Sequence, residues 1–213
     1  MKAQVSIVRC SDYETAAVDA AVKKACDDAG FPDAAGKTVL FKPNILMGAE
    51  PEKAVSTHPA VLRAAIRYAK SRGASRVWVG ESPGFQVGTA AFRKSGLLAV
   101  AEEEGAEWVD FSDAVQVDNP EGKVVKNFTI ARAAMEADIL VSLCKLKTHT
   151  LMYYTGAMKN LFGCVPGLQK PQFHMRFPER LRFGQMLLNG GELDGVRLLS
   201  KERIESFTVP RVD

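Results

Sequence analysis

"KTVLFKPN", residues 37–44, decides the fold, because a run of strand-forming apolar residues ends abruptly there at Pro43. The same pattern recurs in "RVWVGES" (76–82), "AEWVDF" (106–111) and "DILVSLCKL" (138–146). Near-continuous apolar strands are typical of parallel sheets that are covered on both faces. With a further strand over "QVSIVR" (4–9), the sequence predicts a sheet of five strands.

Helical patterns separate these strands. An amphipathic helix is predicted over residues 15–30, and a second over 60–73 begins after His58-Pro59 and ends at a glycine. Residues 88–105 are helical with a break near Gly96, and 131–137 form a short helix. Alternating strands and helices predict an α/β fold with a mostly parallel sheet and helices on both faces. Residues 115–130, with "NPEG" at their centre, add one β-hairpin.

Composition excludes several classes of protein. A net charge of +3 over 213 residues is too small to indicate nucleic-acid or membrane binding. The N-terminus is neither a secretory signal nor a spanning helix, so we expect a cytoplasmic protein. The four cysteines, Cys10, Cys26, Cys144 and Cys164, have no C-x-x-C spacing, so no iron–sulfur motif is present and four buried thiols are expected.

Polar residues gather where the predicted strands end. They are Lys42, Asn44, Glu81, Lys145, Lys147 and His149. Ligands of open α/β sheets bind beyond the carboxyl ends of the strands, where the loops meet. Residues 145, 147 and 149 share one face if the chain stays extended there. These residue types therefore predict a site at this rim of the sheet.

A predicted helix over residues 155–163 adds Lys159 and Asn160 to this rim. Crowded ammonium groups repel one another, and an anionic ligand such as a phosphate or carboxylate relieves that cost. Strand-end lysines are also often simply solvated, and Glu81 serves equally well as a general base or as the partner of a lysine. His58 either donates to the site or caps its helix. His149 and Glu81 are the best acid–base candidates, because histidine titrates near neutrality and burial raises the pKa of a carboxyl group.

These residues also carry a resemblance to a known family. Several motifs in order resemble the DUF362 family, a domain named for its unknown function: "FKPNIL", "VSTHPAVLRAAI", "VGESPG", "LVSLCKLKTH", "TGAMKNLFGCVPG" and "FHMRFPERLRFGQML". The resemblance covers about residues 4–187 and implies an α/β domain whose signature positions are the polar residues named above and His58. Many members of that family carry ferredoxin-type iron–sulfur modules, which this chain lacks. The resemblance implies no reaction.

The tail resembles something else. "FGQMLLNGGELDGVRLLSKERIESFT" (183–208) is similar to a segment of serine β-lactamase-related hydrolases, and the two resemblances overlap at "FGQML". A fusion is favoured over chance similarity. We therefore expect a DUF362-like domain over residues 1–187 and a remnant over 188–213, with a sheet that is incomplete at its C-terminal end.

Three functional hypotheses follow. The first is an anion-binding site, with or without catalysis, in which the ligand is bound by Lys42, Asn44, His58, Lys145, Lys147, Lys159 and Asn160. The second is a non-catalytic module that serves an iron–sulfur redox partner. The third is an inactive fragment with an exposed sheet edge. No spacing of possible ligands predicts a metal, so a small anion and a redox protein are the expected partners, without nucleic acid or membrane.

Overall fold

A computed structural model describes residues 4–83, 89–120, 126–149, 153–167, 192–193 and 196–197. The helices are α1 (Thr15–Asp28), α2 (Pro59–Ser71), α3 (Ala90–Lys94), α4 (Leu97–Glu103), α5 (Arg132–Glu136) and α6 (Ala157–Leu161). The strands are β1 (Thr38–Pro43), β2 (Arg76–Val79), β3 (Glu107–Trp108), β4 (Ala114–Asp118), β5 (Asn127–Ala131), β6 (Ile139–Leu143), β7 (Lys147–His149), β8 (Tyr153–Thr155), β9 (Glu192–Leu193) and β10 (Val196–Arg197). Short 3-10 turns follow at Pro51–Lys53 and Phe162–Cys164.

Four parallel strands form the sheet, in the order β3-β2-β1-β6. In the register, Leu40 lies opposite Trp78 on one side and opposite Leu140 on the other. The chain therefore builds outward from β1 to β3 and then returns to place β6 on the other side of β1. This reversal of strand order puts a topological switch point between β1 and β6, where ligands of such sheets bind.

Both faces of the sheet are covered, which is why all six residues of β1 are buried. On one face, Val39 and Phe41 pack in a core with Leu62 and Ile66 of α2 and with residues of α3 and α4. On the other face, Leu40 packs with Phe111, Ala131, Ala133 and Cys164. The α/β fold with a parallel sheet is confirmed, and the predicted hairpin is the β4–β5 pair.

Several boundaries match the sequence patterns closely. Gly96 adopts a φ of 72° between α3 and α4, which confirms the predicted break in that helical stretch. α2 begins with Pro59 at its first position.

Two strand predictions are wrong. Residues 4–9 form no strand, and among the described residues their backbone joins no ladder. Val5 and Ile7 are 81% and 92% exposed. Strand propensity alone does not supply a pairing partner.

The predicted strand over residues 138–146 is also too long. β6 ends at Leu143, and the chain resumes an extended path in β7, which pairs antiparallel with β8 rather than with the sheet. The Thr155 hydroxyl donates to the Lys145 carbonyl and fixes this second hairpin. As a result, the helix expected from residue 155 begins at Ala157.

Other expectations have mixed outcomes. Cys10 and Cys144 are exposed, so the expectation of four buried thiols is wrong, and Cys164 alone is buried.

None of the helices in the described ranges is long and apolar enough to cross a membrane. In the tail, β9 and β10 pair antiparallel, and the rest of residues 188–213 lies outside the described part of the chain.

Candidate functional site

A buried ion pair lies at the centre of the candidate site. The Lys42 ammonium pairs with the Glu81 carboxylate, and the two side chains are 0% and 3% exposed, respectively. β1 and β2 are adjacent parallel strands, so Lys42 near the end of β1 and Glu81 two residues after β2 arrive side by side. The Lys42 ammonium also donates to the Pro43 carbonyl at 3.1 Å. Glu81 is therefore the partner of a lysine, while its role as a general base stays a prediction.

Asn160 of α6 connects this ion pair to the rest of the site by hydrogen bonds. Its Oδ1 accepts from the Lys42 ammonium at 3.1 Å and from Asn44 Nδ2 at 3.3 Å. Its Nδ2 donates to the Lys42 carbonyl and to Ser142 Oγ, both at 3.0 Å. One buried amide thus uses all its hydrogen-bonding groups to tie α6 to β1 and β6.

Gly163 closes the site over the ion pair. A Cβ on this residue would lie inside van der Waals contact of Glu81 Oε1 and of the Lys42 ammonium. The position therefore requires a glycine for close approach rather than for an unusual φ. The Glu81 carboxylate also accepts from the Ser82 N–H at 2.8 Å.

Asn44 carries the network outward to Lys147. The Lys147 ammonium donates to Asn44 Oδ1 at 2.8 Å and also to the Val55 carbonyl. Asn44 is itself fixed by its N–H, which donates to Thr57 Oγ1 at 2.8 Å, while the Thr57 hydroxyl donates to the Leu143 carbonyl at 2.6 Å. A continuous chain of hydrogen bonds therefore joins the buried pair to a half-buried lysine at the switch point.

Lys147 belongs to a cluster of three lysines with Lys145 and Lys159. Burial first, and then the positive charges of Lys145 and Lys159, lower the pKa of Lys147 below its ordinary value. Within the described ranges, no carboxylate pairs with Lys145 or Lys147. Lys159 lies over the Phe162 ring, 5.6 Å from its centroid. We call these three residues the lysine cluster.

His58 borders the lysine cluster. Its Nδ1 accepts from the Ala60 N–H at 3.2 Å, so it caps α2. Its ring stacks on Tyr13, with centroids 3.6 Å apart. Partial burial, and then the charge of Lys145, lower the pKa of His58. The cap is therefore established, and donation to a ligand stays a prediction.

The structure brings together most residues that the sequence singled out. Lys42, Asn44, Glu81, Lys147 and Asn160 form one connected network. His149 ends β7 opposite Tyr153, but its side chain lies outside what the structure describes, so its catalytic role stays a prediction.

Sequence reasoning missed Thr57, Ser142 and Gly163. Each had a weak signal: Thr57 precedes the His58-Pro59 helix start, Ser142 interrupts an apolar strand, and Gly163 closes the helix that carries Asn160.

The described residues offer no obvious metal site, since no group of three or more His, Cys, Asp or Glu among them could hold an ion. The rim carries the ammonium groups of Lys145, Lys147 and Lys159, and ammonium groups are suited to binding oxyanions.

Fold and site together define a class of protein. It is an α/β protein whose parallel sheet carries a lysine-rich polar network at the carboxyl ends of two adjacent strands. The chain belongs to the DUF362 family: residues 39–193 match the family described as "Domain of unknown function (DUF362)". The resemblance drawn from the motifs is thereby confirmed.

One relative extends this comparison. Over 192 residues the chain is 30% identical to a thylakoid-associated protein of Synechocystis sp., covering 88% of this chain and 59% of that protein. The chain thus spans less than two thirds of that relative's length. No solved structure matches the chain significantly. The family match runs to residue 193, while the hydrolase resemblance of the tail and the boundary at residue 187 stay predictions.

Proposed function

We propose that this protein binds a small oxyanion, a phosphate or a carboxylate, at the lysine cluster. The observation that carries the proposal is the setting of Lys147. Its half-buried ammonium contacts two neutral oxygens, of Asn44 and Val55, and stands beside two further positive charges. An anion at this place would supply the negative charge that the described neighbours do not.

The position of the cluster in the fold supports the same function. Lys145 and Lys147 follow β6, and the Asn44 that holds Lys147 follows β1. These are the two strands between which the strand order reverses. In open α/β sheets the loops at this point separate and leave a crevice for ligands.

The network divides the predicted residues into two roles. Lys42 is fully buried and occupied by Glu81, Asn160 and Pro43, so we assign it with Asn44, Glu81 and Asn160 to the frame of the site. We assign Lys145, Lys147 and Lys159 to the ligand. His58, at the border of the cluster, is a candidate for a further contact.

Thermal unfolding with and without oxyanions tests this proposal. Phosphate, sulfate and citrate are added to the wild type, to Lys147→Met and to a control, Lys94→Met, which removes an exposed lysine of α3. A ligand at one hundred times its dissociation constant adds about 2.7 kcal/mol to the free energy of unfolding. We expect one anion to raise the melting temperature of the wild type and of Lys94→Met, and to have a much smaller effect on Lys147→Met. An equal response of all three proteins, or of none, would refute the proposal.

A further inference from the structure

A cavity of about 570 Å³ lies between the N-terminal segment and the helices α1 and α2. Val8 of the segment, Val18 and Val22 of α1, and Val61 of α2 form its apolar wall. Its volume falls in the range of cavities that hold small organic ligands, about 300–1,000 Å³.

The alternation of side chains in the N-terminal segment creates this cavity. Ser6 and Val8 are half-buried and line it, whereas Val5 and Ile7 are exposed on the opposite side. The segment thus covers part of the apolar face of α1 without filling the space over it.

The charge of the lining indicates what the cavity accepts. Among its described lining residues the charged one is Asp12, whose carboxylate accepts from the Glu14 N–H at 3.0 Å and from the Ser11 hydroxyl at 3.2 Å. A carboxylate in an otherwise uncharged wall disfavours an anion inside. The cavity therefore suits the neutral, apolar part of a molecule.

Tyr13 and His58 connect the cavity to the lysine cluster. Tyr13 lines the cavity, is 50% exposed, and stacks on His58 with an angle of 11° between the rings. His58 in turn follows Thr57, whose Oγ1 accepts from the N–H of Asn44, and Asn44 accepts from the Lys147 ammonium. An apolar space and a cationic site therefore adjoin through one aromatic stack.

From this juxtaposition we infer that the ligand is an oxyanion attached to an apolar or aromatic group, with the anion at the lysine cluster and the apolar group in the cavity against Tyr13. The inference rests on the proposed function. It narrows the ligand class from any small oxyanion to organic phosphates or carboxylates that carry an apolar portion, because rings stack on tyrosine and gain from leaving water.

Calorimetric titration with phenyl phosphate and inorganic phosphate tests the inference. In the wild type we expect phenyl phosphate to bind at least about tenfold more tightly, a difference of about 1.4 kcal/mol. Two variants probe the cavity: Val22→Asp places a second carboxylate in its wall, and Tyr13→Ala removes the stacking surface. Val5→Asp is the matched control, because it adds the same charge to the exposed side of the N-terminal segment, away from the cavity.

We expect the preference for phenyl phosphate to fall to about threefold or less in Val22→Asp and Tyr13→Ala and to persist in Val5→Asp. Thermal unfolding of each variant verifies that it is folded, and Tyr13→Ala decides the question if Val22→Asp does not fold. Equal affinity of the wild type for the two phosphates would overturn this inference and leave the proposed function standing. A preference for phenyl phosphate that neither cavity variant changes would likewise overturn this inference and leave the proposed function standing. Failure of both phosphates to bind would overturn this inference; the proposed function falls with it only if sulfate and citrate also leave the melting temperature of the wild type unchanged.

Discussion

Lys42 and Glu81 form an ion pair that is almost entirely removed from solvent, at the ends of two adjacent parallel strands. Removing one member of such a pair leaves an uncompensated buried charge, which typically costs about 3–5 kcal/mol. We therefore expect Lys42→Met and Glu81→Gln each to lower the free energy of unfolding by about that amount, as measured by urea denaturation.

The double variant Lys42→Met/Glu81→Gln separates the charge effect from general damage. It leaves no unpaired charge, so we expect it to be more stable than either single variant. Lys24→Met, which breaks the exposed pair with Asp28, is the control and should change stability little. Single variants that are as stable as this control would contradict the buried-pair assignment.

Gly163 supplies a second test of the same packing. In Gly163→Ala the new methyl group would meet Glu81 Oε1 and the Lys42 ammonium, so the variant must displace the buried pair or α6. Overpacking of this kind typically costs about 1–3 kcal/mol. Thermal and urea unfolding should show a loss in this range for Gly163→Ala and a smaller one for Leu161→Ala, whose side chain is exposed nearby. A fully stable Gly163→Ala would mean that the turn approaches the ion pair less closely.

Asn160 tests the link between the frame and the ligand site. Asn160→Leu keeps a similar side-chain size but removes four hydrogen bonds, to Lys42 twice, Asn44 and Ser142. Each buried polar group left without a partner costs about 1–3 kcal/mol, so we expect a loss of at least about 2 kcal/mol. The control Asn127→Leu changes an exposed residue of β5. Because Asn160 holds Asn44, and Asn44 holds Lys147, anion binding should also weaken in Asn160→Leu; unchanged binding would argue that Lys147 is positioned independently.

The sheet and most of its connections could be predicted from the sequence because their signals are local. The run of buried residues in β1, the proline at the start of α2 and the glycine between α3 and α4 each specify backbone structure within a few residues. The candidate site residues could be predicted for a related reason. A polar residue at the end of an apolar strand can be recognised in the sequence before its contact partner is known.

What the sequence did not reveal depends on contacts between distant segments. Strand-like residues 4–9 join no ladder among the described residues, and nothing in the segment itself records this. Likewise, Lys42 and Lys147 look alike in the sequence, but within the described part of the chain Lys42 meets a carboxylate and Lys147 does not. Which lysine pairs with a carboxylate therefore depends on which strand lies next to its own.

The lowered pKa of Lys147 predicts how stability and binding depend on pH. Its causes are burial and the charges of Lys145 and Lys159. Between this lowered pKa and the ordinary lysine value, about 10.4, the unfolded chain holds more protons at this residue than the folded protein. The contribution of Lys147 to the free energy of unfolding should therefore rise with pH through that window. An anion should favour the protonated form, so its affinity should fall through the same window.

Sulfate tests this relationship because its charge is constant over the range. We expect its affinity for the wild type, measured by calorimetry between pH 7 and pH 10, to decrease as pH rises. Lys147→Arg keeps the positive charge but does not titrate there, so its sulfate affinity should decline less. Lys94→Arg, on the exposed surface of α3, should behave like the wild type. An identical pH profile in Lys147→Arg and the wild type would show that Lys147 is not the group whose protonation controls binding.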